Sequence, residues 1–118
     1  MNEFIQYHRI LLIRARPGSE RSRLGQDYAA HLIDPGGRLL VFFHAEGVEH
    51  AAEGEPSAEW RSLADWHGVV LAVCSGSWSR RHREQPAPPF VISSLTGFWN
   101  HAVDAREVIC FGAGDGDG

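Results

Sequence analysis

The chain has 118 residues, 43% of them apolar, which is enough for one substantial core and too little for a second domain. Its formal charge of -4 offers no broad attraction to phosphate backbones or anionic lipid, which argues against direct nucleic-acid binding and against a membrane-surface role. Two cysteines, Cys74 and Cys110, can build neither a disulfide scaffold nor a four-thiolate metal site.

The first residues carry Glu3 and lack the positively charged start and long apolar run of a secretory signal. The run Ile10 to Ile13 is far short of the roughly 20 residues that span a bilayer, so a cytoplasmic protein with reduced thiols is expected. Short apolar runs then alternate with helix-period segments, the mark of βα units feeding a mainly parallel five-stranded sheet.

The first strand is Ile10 to Ile13. Ser19 caps a helix in which Leu24, Tyr28 and Leu32 recur at spacing four, a stripe expected to face the sheet until Pro35-Gly36-Gly37 ends it. Leu39 to Phe43 is the second strand. Ser57 is the expected cap of a helix carrying Trp60, Leu63, Ala64 and His67, with Gly68 as its stop. Val69 to Val73 follows, and then a helix after Cys74 that Pro86, Pro88 and Pro89 limit to about two turns. The fourth strand is Phe90 to Ile92. The last helix, Leu95 to Val103, has Leu95, Phe98, Ala102 and Val103 on or near one face and precedes the strand Val108 to Phe111. Near-continuous apolarity predicts strands covered on both faces. One domain fills residues 1–118, with 113–118 as a flexible tail.

In an open parallel sheet, reactive groups gather beyond the carboxyl ends of the strands. Cys74 closes the run VVLAVC and precedes Ser-Gly-Ser, which places its sulfur at a strand-to-helix turn rich in unpaired N–H groups. That setting, with Arg80 and Arg81 shortly after it, favours the reactive thiolate. Cys110 sits inside an apolar strand and reads as core packing. His44 and His50 lie where they reach the cleft over Cys74, as general base or as docking surface. The spacing of His44, His50, His67, His82 and His101 fits no compact ligand motif, so neither a metal nor another cofactor is expected. The loop Arg14 to Ser19 suits an anion but lacks the glycines and lysine of a phosphate loop. Glu46 and Gly47 read as shaping a turn. Trp60, Trp66, Trp78 and Trp99 are many for this length; most suit core packing, and an exposed one suits a subunit contact.

Three blocks carry a resemblance to a known family. VFFHAEGV (41–48), WHGVVLAVCSGSWSRRH (66–82) and SSLTGFWNHAVDAREVICF (93–111) resemble, in order, the second strand and its turn, the third strand with its sulfur-carrying cysteine and paired arginines, and the closing helix and strand of the DsrE/TusD-like sulfur-relay proteins. His82 stands where that pattern has glycine. The resemblance implies a three-layer α/β/α domain and a sulfurtransferase subunit whose Cys74 carries sulfane sulfur as a persulfide between a donor and an acceptor protein. It also implies assembly with identical or related subunits, as a trimer or hexamer. The alternative is a non-catalytic subunit that only completes such an oligomer.

Overall fold

The computed structural model describes residues 9–31, 38–52 and 55–112. Leu32, the stop Pro35-Gly36-Gly37, the first eight residues and the tail 113–118 lie outside the described residues, as do the side chains of Trp66 and His67. In chain order the elements are β1 (Arg9–Ile13), α1 (Glu20–His31), β2 (Leu39–Phe43), a 3₁₀ segment (Ala45–Ala51), α2 (Glu55–His67), β3 (Val70–Cys74), α3 (Ser75–Ser79), β4 (Phe90–Ser93), α4 (Leu95–Asp104) and β5 (Glu107–Phe111). The five strands form one sheet in the order β4-β3-β2-β1-β5, and every pairing is parallel. None of the described helices is long and apolar enough to cross a membrane.

Adjacent residues of a strand point to opposite faces, so β2 shows how the layers form. Phe43 meets Trp60 of α2 edge to face at a centroid distance of 5.2 Å, whereas Phe42 meets Phe98 of α4 at 4.8 Å. The helices α2 and α4 therefore lie on opposite sides of the sheet. Tyr28 of α1 packs on Phe111, whose register partner is Ile13 and, one strand further, Phe43; α1 thus shares the side of α2. All five residues of β2 are buried, and each fully buried ring or branched side chain contributes about 2 kcal/mol.

The packing corrects several expectations. In α1 the buried residues are Ser22, Gly25 and Ala29, while Leu24 is exposed. The reason is a close approach: a Cβ on Gly25 would stand 2.8 Å from Ile13 Cδ1, so the helix presses on the sheet through its glycine and turns Leu24 away. Ser19 caps α1 as expected, its Oγ accepting from the Ser22 N–H at 3.2 Å. Ser57 is not the cap of α2 but a buried residue inside it, two positions beyond its start. Gly68 ends α2 at φ 72, its N–H donating to Ala64 O.

At the other end of the sheet, α3 has one turn rather than two. The helix α4 is capped by Ser94, whose Oγ accepts from the Gly97 N–H at 2.9 Å, and it buries Phe98. Leu95 and Val103 are exposed, as are Val91, Ile92 and Val108 on the outer strands. Two-sided cover therefore fails at β4 and β5, because among the described residues one ten-residue helix shields five strands on its side and an edge strand has a single neighbour.

Candidate functional site

The connections after β1, β2 and β3 each step one strand in the same direction, whereas the connection after β4 runs back across the sheet to β5. Right-handed crossovers place these two kinds of connection on opposite faces. They diverge between the carboxyl ends of β3 and β4, where a doubly wound sheet opens a crevice. Cys74 and Ser93 are register partners there. Cys74 is also the residue that caps α3, in an extended conformation (φ −63, ψ 123) with no capping bond from its side chain. Its burial departs from a freely reachable sulfur: Cys74 is 5% exposed in the isolated chain.

Beside it, the ends of β1 and β2 bring charge together. His44 continues the β2 ladder by donating its N–H to Ile13 O at 3.0 Å. Ala45 follows at φ 55, a left-handed conformation rare for a residue with a Cβ, and its N–H donates to the buried Ser77 Oγ at 3.0 Å. His44, Ala45, Ser77, Arg80 and Arg81 line a cleft of about 400 Å³. Burial holds the pKa of His44 below the ordinary 6.5, and the nearby positive charges of Arg14 and Arg80 lower it further. The structure thus brings together His44, Arg80 and Arg81, three of the residues singled out in the sequence, and adds Arg14 from the loop after β1.

Sequence reasoning missed the carboxylate that orders this edge. Glu49 accepts from His82 Nε2 at 3.1 Å and lies 4.0 Å from Arg81 Nη1. His82 stacks on Trp78 at a centroid distance of 4.0 Å, and Trp78 Nε1–H donates to Glu84 O at 2.7 Å. These bonds gather residues 78–84 against the 3₁₀ segment. The only sequence signal for them is the run of cationic side chains at 80–83, which demands a nearby anion.

His50 is corrected. It is 1% exposed and takes no part in the surface of the cleft. Its Nε2–H donates to Ala15 O at 3.1 Å, and its Nδ1 accepts from Trp60 Nε1–H at 3.0 Å. One donor and one acceptor describe a neutral ring, and burial pushes its pKa down to about 4, with the Ala15 bond opposing weakly. Cys110 is corrected as well, because it is exposed on β5 rather than packed in the core. Among the described residues, no group of three or more His, Cys, Asp or Glu side chains is arranged to hold a metal.

The profile of the DsrE/DsrF-like family matches residues 8–111. Among solved structures the chain is similar to the YchN protein of E. coli, with a TM-score of 0.68 and 18% identity over 91% of this chain and 100% of that one, a likeness of fold. No curated protein matches in sequence. With nearly all of its length covered by one family profile, and with the all-parallel sheet that the likeness of fold shares, the chain belongs to the DsrE/DsrF-like family, a family associated with sulfur relay.

Proposed function

We propose that this chain carries sulfane sulfur as a persulfide on Cys74 and passes it from a donor protein to an acceptor thiol. The observation that supports this reading most is the position of Cys74 at the carboxyl end of β3, as the residue that caps α3, whose Ser77 lines the cleft of His44, Arg80 and Arg81. In the transfer, the Cys74 thiolate attacks the outer sulfur of a donor cysteine persulfide; the new S–S bond forms as the donor's bond breaks and its thiolate leaves. Delivery repeats the step with Cys74 as the leaving thiolate, so no oxidant is consumed. The low exposure of Cys74 shields the persulfide between encounters, and transfer requires a local opening at the carboxyl end of β3 when a partner docks.

A second reading, a subunit that only completes an oligomer, is favoured by the same burial. Intact-mass measurement after incubation with a persulfide donor separates the two. The carrier gains one sulfur that persists in Cys110→Ser and is lost in Cys74→Ser. Sulfur found only on the exposed Cys110 would leave the structural subunit as the better account.

Both readings include assembly with identical or related chains, as a trimer or hexamer. Trp99 at 56% and Val103 at 79% exposure, on the helix that incompletely covers the sheet, support it, since tryptophan is enriched where subunits meet. Trp99→Glu is expected to reduce the sedimentation coefficient to that of a smaller species; an unchanged value would remove α4 from the contact.

A further inference from the structure

Among the described residues, positive charge at the strand ends exceeds what nearby carboxylates neutralise. Neither Arg14 nor Arg80 is paired with a carboxylate among the described residues. Arg80, exposed just beyond α3, bends back toward that turn, with Nη2 4.0 Å from where a Cβ on Gly76 would stand, and lines the cleft. Ser77 lines the same cleft, and since its oxygen accepts from Ala45 N–H, its hydroxyl proton is left to donate. We propose that this cleft is a receptor for a compact oxyanion, held by Arg80, Arg81, His44 and the Ser77 hydroxyl.

The charges that act on or line the cleft with His44 are Arg14 from the loop after β1 and Arg80 and Arg81 beyond α3, while Glu46 and Glu49 are the carboxylates of the adjoining 3₁₀ segment. Of the two carboxylates, Glu49 is already held by His82 and Arg81. Without an anion, a proton on His44 is opposed by two guanidinium groups. A bound anion screens that repulsion and adds an acceptor, so His44 takes up a proton as the anion arrives. By linkage, affinity rises as pH falls through the titration range of His44. The inference rests on the persulfide reading for its use, which is to hold an oxyanionic group of a sulfur donor or acceptor at the turn that follows Cys74. The binding itself does not need that thiol.

Inorganic sulfate is the probe, titrated against chloride at constant ionic strength, with each histidine followed by NMR across pH. The His44 midpoint is expected to rise with sulfate, in the native chain and equally in Cys74→Ser. His31, at the far end of α1, serves as the control and should not move. Arg80→Gln is expected to weaken sulfate binding roughly tenfold or more and, without sulfate, to raise the His44 midpoint by removing one repelling charge. An unmoved His44, an equal shift at His31, or unchanged affinity in Arg80→Gln would overturn the receptor and leave sulfur uptake at Cys74 untouched. Conversely, sulfate binding by a native chain that gains no sulfur at Cys74 would support the receptor and end the persulfide reading.

Discussion

Gly47→Ala is expected to cost about 3 kcal/mol or more, a large share of the stability of a domain this size, and to lower the urea midpoint accordingly. The added Cβ would overlap the Ile13 carbonyl oxygen and stand 2.8 Å from its carbonyl carbon and 3.2 Å from Arg14 Cα. All three are backbone atoms and cannot swing aside. That same Ile13 oxygen accepts from the His44 N–H, so relief of the clash pulls the 3₁₀ segment off the end of β1 and spreads the cleft. Gly112→Ala is the control, since nothing lies within 4 Å of the corresponding position there. Equal midpoints for the two variants would refute the close approach.

The second large effect is acid sensitivity through His50. In the folded chain its pKa is held near 4, against about 6.5 when unfolded. Between those values the unfolded chain binds the proton and the folded chain does not, so stability falls as pH falls. The contribution is fully present above about pH 6.5 and lost progressively toward about pH 4; the gap corresponds to about 3 kcal/mol. Protonation would also place a second N–H against Trp60 Nε1–H, where only an acceptor fits. In His50→Gln the unfolding free energy is expected to change less steeply over this pH window than in the native chain. Parallel pH profiles would show that the ring titrates freely. The comparison of slopes isolates His50 from His44, which shifts in the same direction.

The course of the chain was legible because its strands are runs of branched and aromatic residues separated by strong stop signals. The run LLVFF, buried at every position, is the clearest case. What such a run does not record is its place in the sheet. Val108 to Phe111 reads as core, yet β5 is an edge strand, and Cys110 is exposed there while Cys74 at the end of an inner strand is nearly sealed. Helix rotation was equally hidden. The spacing of Leu24 and Tyr28 selects a stripe, but the fit of Gly25 against Ile13 decides the angle.

At the site, the rule of strand ends placed His44 and Cys74 correctly at the carboxyl edge, since both close apolar runs. It placed His50 there too. Nothing in the sequence marks that this ring would be folded inward between Trp60 Nε1 and the Ala15 carbonyl, because both partners come from other segments. The pairing of Glu49 with His82 across 33 residues was invisible for the same reason.

The adjacency of β1 and β5, joined at one end by Arg9 and Glu107 across 98 residues, has a consequence for biosynthesis. While the chain is still emerging from the ribosome, β1 has β2 on one flank and an open ladder of amides and carbonyls on the other. That open flank includes Ile10, Leu11 and Ile13, the kind of apolar template on which nascent chains associate wrongly. Only β5 closes it, so a chain stopped between β2 and Glu107 leaves β1, an inner strand of the finished sheet, as a raw margin.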